Sequence, residues 1–256
     1  MKIFNTLLVA LTFFISGVSN SQDVPKHLQI ARDFVANTKP ENNDYTTQKV
    51  YTRMPGDFLF MGNWVVDTDC SAFVADVLDR SISGFISNLP SRKFRTRVSV
   101  FDLLDSIEKE KQFKQIKTVP ELRPGDILLW MKSKEDGAHL EPGHVLFVDS
   151  VAKKIKNRAP IVENSDQYEI RLIDVSQLAK STDDPRYVSD KAERAANFAK
   201  GKMRGTGPSS SRRGIGTGSI RLYADKDGVL QGVAFNTPGS DVKETPDFVF
   251  SMARVR

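Results

Sequence analysis

Asp69-Cys70-Ser71-Ala72-Phe73-Val74 carries the one cysteine of the chain at the head of an amphipathic stretch. Asp69 is a strong N-cap residue, because its carboxylate can accept from the unpaired backbone N–H groups of a first helical turn. Phe73, Val74, Val77 and Leu78 recur at helical spacing, so the stretch predicts a helix to about Arg80 with one buried face. Cys70 then sits in the first turn, where the helix dipole favours a thiolate by about 0.3–1 kcal/mol. One pKa unit is about 1.4 kcal/mol, so the dipole alone moves the thiol by less than a unit. A nucleophilic Cys70 therefore needs a histidine partner.

The chain begins with what reads as an export signal over residues 1–21. Lys2 is followed by a short apolar core from Leu7 to Ile15, and Ser19 and Ser21 are small residues suited to cleavage before Gln22. The apolar run is too short to span a bilayer, so no stable membrane insertion is expected. The protein is expected to be exported, periplasmic or extracellular, where a single thiol has no internal disulfide partner. Residues 22–256 are enough for one domain with a proper core. The net charge of +5 is a mild excess that suits an anionic cell envelope and is too diffuse to predict nucleic acid binding.

Outward from Cys70 the chain is helical first and strand-rich afterwards. Pro25–Asn37 and Ser99–Lys111 have helical periodicity, and Ser99 with Asp102 three residues on forms a capping signature. Residues 38–57 are polar, broken by Pro40 and Pro55, and read as an irregular arm. Strands are predicted near 113–119, 127–131, 143–150, 160–163, 168–175, 220–224, 229–235 and 248–255. Asp184–Lys200 reads as a helix, and Arg204–Ser219, rich in Gly, Ser and Arg, as a surface loop. Helices followed by antiparallel strands predict an α+β fold, with an extra segment around 176–218.

Three histidines are present. His27 lies on the first helix and His139 in a polar loop. His144 begins the strand Gly143-His144-Val145-Leu146-Phe147-Val148, where His144, Leu146 and Val148 share a face. If that face meets the Cys70 helix, the imidazole reaches the sulfur, and Pro142-Gly143 leaves room for a substrate backbone. A catalytic imidazole needs a third polar group to fix its tautomer. Glu163 and Asn164, at the end of the expected 160–163 strand, are the two candidates. One cysteine with scattered histidines gives no metal-ligand spacing, so no metal and no cofactor is expected.

Asp69-Cys70-Ser71-Ala72-Phe73-Val74 resembles the D-C-S-G-F-V nucleophile motif of the NlpC-type and CHAP cysteine peptidases and amidases. Pro124-Gly125-Asp126-Ile127-Leu128 is similar to their P-G-D strand, and Gly143-His144-Val145 to their G-H-V. The blocks occur in the same order and span roughly residues 58–175. The resemblance implies a compact papain-like fold, with N-terminal helices bearing the cysteine packed on an antiparallel sheet bearing the histidine. It implies Cys70 as nucleophile, His144 as base and acid, Glu163 or Asn164 as the orienting group, and a peptidoglycan peptide as substrate. Asp69, Ser71, Gly143 and Trp64 would line the substrate site. Ala72 replaces the usual glycine, and Phe60-Met61-Gly62-Asn63-Trp64 lacks the tyrosine and paired glycines the family often has there, which leaves substrate type open. Two other readings stay open: a thiol acyltransferase or thioesterase on the same fold, and a non-catalytic envelope-binding module with a buried thiol.

Overall fold

The computed structural model describes residues 23–48, 50–57, 62–90, 97–133, 139–200 and 210–256. The expected export signal, residues 58–61 and Arg204 lie outside them. Among the described residues no helix is long and apolar enough to cross a membrane.

Helix α1 (Lys26–Asn37) buries Leu28, Ala31 and Phe34, the stripe its periodicity predicts. Helix α2 (Cys70–Ser81) starts at the expected cap: the Asp69 carboxylate accepts from the Ala72 amide at 2.9 Å. Phe73, Val74, Val77 and Leu78 are fully buried, each contributing about 1.5–3 kcal/mol of burial. Helix α3 (Val100–Glu108) carries the Ser99–Asp102 capping box. Helix α4 (Lys191–Ala199) is shorter than expected, because the stretch before it runs non-helically and buries Asp184, Arg186 and Val188.

The arm over 38–57 is not irregular. Its strands β1 (Asn43–Tyr45) and β2 (Tyr51–Arg53) flank β3 (Val65–Thr68) in a small sheet. Such short strands are fixed by pairing partners distant in sequence and leave no local periodicity.

The main sheet contains β4 (Phe113–Ile116), β5 (Ile127–Ser133), β6 (His139–Val148), β7 (Lys153–Ile155), β8 (Asp166–Leu178), β9 (Ser210–Ala224), β10 (Leu230–Phe235), β11 (Val242–Glu244) and β12 (Phe248–Val255). Its order is β11-β10-β9-β8-β6-β5-β12-β4, with β7 pairing β8, and every pairing is antiparallel. The fold is therefore α+β. The expected strand at 160–163 is instead part of the turn between β7 and β8, where Pro160 follows a cis peptide bond and has no N–H to give a ladder.

One face of the sheet packs on the helices. Leu129, Met131, Val145, Phe147, Ile173 and Val175 share a core with α1, α2 and α3. The other face is the inside of a curl. Ile116 and Val119 near one end share a cluster with Leu230 and Val233 near the other, around Trp130, Leu146, Val148 and Leu172. The three sequence blocks interlock here. The Gly125 amide donates to Val148 O and the Val148 amide to Asp126 O, both at 2.8 Å, tying the P-G-D turn to the end of β6. Gly125 (φ +94°) could hold no side chain, since a Cβ would lie 2.7 Å from Pro25 Cγ. Phe73 of α2 meets Phe147 of β6 at 6.4 Å between ring centroids.

The largest departure from expectation is β9, which was expected to be a surface loop up to Ser219. From Ser210 onward it is a strand, paired along most of β8. Its Gly214-Ile215-Gly216-Thr217-Gly218 run has a period of two. A Cβ on Gly216 would lie 2.2 Å from Arg186 Nε, and one on Gly218 would lie 2.7 Å from Ser181 Oγ. The glycines make a slot in which the segment after β8 lies flat on the strand, rather than conferring mobility.

Candidate functional site

The site is built where α2, β6 and β8 meet. Cys70 is the first residue of α2 and only 4% exposed. Its sulfur accepts from the backbone amide of Val145, the residue after His144. Burial pushes the thiol up to about 12, and the neighbouring Asp69 carboxylate adds to the shift. Asp69 also pairs with Arg97. The Val145 amide and Lys180 act in the opposite sense without overcoming burial.

His144, Leu146 and Val148 share a face as expected, but it is the inner face of the curl. The imidazole lies 5.0 Å from the Trp130 ring centroid, while Val145 and Phe147 face α2. The Cys70 sulfur approaches β6 through the Val145 backbone, within electrostatic reach of Asp174 and Lys180.

The group that orients His144 is Asp174, in the middle of β8. His144 Nε2–H donates to Asp174 Oδ2 at 2.6 Å. Asp174 is fully buried, and its charge is met on every side. Arg186 Nη2 donates to Oδ1 at 2.6 Å, and Lys180 Nζ stands 3.3 Å from Oδ2. Arg186 also pairs with the buried Asp184 at 2.8 Å. These cations hold the Asp174 carboxyl well below the usual carboxylate range, against the cost of burial. Burial lowers His144 to about 4, with Lys180 as the next cause, against the opposing pull of Asp174. The resting site is a neutral thiol and a neutral imidazole. Because a carboxylate can only accept, the ring proton is on Nε2 and Nδ1 carries the basic lone pair.

Glu163 and Asn164 do not reach this cluster. They sit beside Asn157 and Lys226 in the turn before β8. Eight residues of strand, about 26 Å at 3.3 Å per residue, separate Asp166 from Asp174. Gly143 is also a packing residue rather than an opening: a Cβ there would lie 2.9 Å from Met131 Cγ and 3.1 Å from Val100 Cγ1. Ser71 Oγ donates to Val98 O at 3.0 Å, and Trp64 packs edge-on against Phe34, so both brace the helix. His27 is buried, with Nε2 2.8 Å from Gly125 O, and holds α1 to the P-G-D turn. The His139 side chain lies outside the described residues. Among the described residues no group of three or more His, Cys, Asp or Glu is placed to hold a metal ion.

These environments set a pH dependence of stability. His144 is lowered from 6.5 to about 4, and His27 is lowered by burial as well, so between those values the unfolded chain binds more protons than the fold. Stability is present above pH 6.5 and is lost on acidification. The depressed Asp174 adds the same sign below 3.8. Cys70, raised from 9.0, works oppositely: stability is lost as pH rises through 9 and beyond. The melting temperature is expected to peak between about pH 6.5 and 9. His144→Gln should flatten the acid limb between pH 4 and 6.5. An acid limb of equal slope in wild type and variant would mean that His144 is not buried as a neutral base.

No protein-family description matches the chain, and no solved structure matches it. An uncharacterized protein of Acanthamoeba polyphaga mimivirus is 22% identical over 174 residues, which cover 66% of this chain and 68% of the viral one.

Proposed function

We propose that the protein is an exported thiol hydrolase of papain-like fold. On this reading it cuts amide bonds in peptidoglycan peptides with Cys70 as nucleophile, His144 as base and acid, and Asp174 as the orienting group. The observation that carries this reading is the buried carboxylate on His144 Nε2. Burying Asp174, Asp184, Arg186 and Lys180 costs several kcal/mol per ion before pairing, and apolar side chains would fill the same space without that cost. A network of this expense that ends on one imidazole, the residue before the Val145 backbone on which the Cys70 sulfur bears, is support for catalysis.

In the proposed reaction Cys70 Sγ attacks the amide carbonyl carbon as its proton passes to His144 Nδ1. The ring, held at Nε2 by Asp174, gives that proton to the leaving amine as the C–N bond breaks. Water then attacks the thioester, losing a proton to Nδ1, and the thiol is restored on release of the acid. The Cys70 amide, at the open end of α2, is the first candidate to receive the developing oxyanion. Since Cys70 is 4% exposed, neutral at rest and set against the Val145 backbone rather than the His144 ring, substrate entry must uncover the thiol and bring it to Nδ1.

The same low exposure favours a second reading, a non-catalytic envelope-binding module whose thiol is core. Incubation of the mature protein with purified peptidoglycan, followed by mass analysis of the soluble products, separates the two. Hydrolysis releases peptide fragments with wild type and none with Cys70→Ala. Binding without fragments, unchanged by Cys70→Ala, supports the module.

A further inference from the structure

Asp174 has two oxygens and three partners, and the crowding is on one of them. Oδ1 takes Arg186, while Oδ2 takes both His144 Nε2 at 2.6 Å and Lys180 Nζ at 3.3 Å. Lys180 is 2% exposed. Its ammonium donates to Ser176 Oγ at 2.7 Å and Leu178 O at 3.3 Å, and lies 4.3 Å from the Phe235 ring centroid. Asp184 accepts from the Lys180 backbone amide and pairs with Arg186. The buried set therefore holds two carboxylates and two cations, and balances without a proton on His144.

We propose that Lys180 is a positioning residue for His144: it shares the carboxylate oxygen that the imidazole uses and places a competing positive charge beside the ring, so that His144 is kept a neutral base. An aspartate alone would draw a second proton onto the imidazole and make a resting ion pair. With Arg186 on one oxygen and Lys180 on the other, an imidazolium would be a third cation on one carboxylate. The charged groups that act on the ring are Asp174 on β8 and Lys180 and Arg186 after it, with Asp184 paired to Arg186. Lys243 on β11 acts on Lys180 and lies over the same Phe235 ring. The role refers to the base proposed above, but it is measured in the free protein.

The test is a proton-coupled nitrogen and carbon titration of the three histidine rings by nuclear magnetic resonance, with His144→Gln assigning the signal. In wild type, His144 is expected to stay neutral until pH falls well below 6. In Lys180→Met its midpoint should rise by at least about one pH unit. Lys180→Gln, which can still bond Ser176 without a charge, should show the same rise if the methionine variant folds poorly. Lys180→Arg should keep the wild-type titration. A midpoint unmoved in both neutral variants, or raised equally in the arginine variant, would overturn the proposal. A raised midpoint in a protein that cleaves no amide would uphold it while removing the hydrolase reading. Cleavage with an unmoved midpoint would do the reverse.

Discussion

Replacing Asp174 by Asn is expected to lower amide hydrolysis by about 10²–10⁴-fold. An asparagine amide can turn its NH2 toward the ring and hold it in the wrong tautomer, with the proton on Nδ1, where the thiol proton has to go. The same change leaves Arg186 and Lys180 without the fully buried charge they share, so the melting temperature should fall as well. The kinetic loss is to be read below the new melting point, as kcat on folded protein. Glu163→Gln and Asn164→Ala, in the distant turn before β8, should stay within about twofold of wild type. Activity that survives Asp174→Asn but falls with Glu163→Gln would reverse the assignment.

The second large effect is expected from one methyl group. In Gly216→Ala the new Cβ would lie 2.2 Å from Arg186 Nε and 2.7 Å from its Cζ, and Arg186 is fully buried. The guanidinium cannot yield without leaving Asp174 and Asp184, and breaking a buried ion pair costs about 3–5 kcal/mol. For a domain of this size that is a fall of roughly 10 °C in melting temperature. His144 loses the support of its carboxylate at the same time, so activity should fall with stability. Thermal melts of Gly216→Ala within about 2 °C of wild type would show that Arg186 is not wedged in the glycine slot.

The parts legible in the sequence were those fixed by neighbours a few residues away. The Asp69 cap, the Phe73-Val74-Val77-Leu78 stripe and the Ser99–Asp102 box all lie within one or two helical turns, and each helix forms where they placed it. The P-G-D turn and the G-H-V strand were also legible, and the structure ties them through Val148. What failed was whatever depended on long-range pairing. His144 was assigned to the right strand, but alternation alone does not say which face of a curled sheet meets the helices. Asp174 lies inside the expected 168–175 strand, and alternation alone does not mark it as a site residue. Its signal was an acid at an inner-face position between Leu172 and Ser176, flanked by the buried Ile173 and Val175, where an unpaired carboxylate cannot stay. Gly214, Gly216 and Gly218 read by composition as a loop, whereas their period of two is strand spacing, and the groups that leave no room for a Cβ on them, Asn43, Arg186 and Ser181 in turn, all lie more than 25 residues upstream.

The thioester is the species on which this account stands. Wild-type protein mixed with a peptidoglycan-derived peptide, quenched in acid within the first turnovers and weighed intact, should carry the acyl fragment of the peptide on Cys70. Cys70→Ala should carry none and release no amine. Amine released at the wild-type rate by Cys70→Ala, with no adduct on either protein, would contradict it.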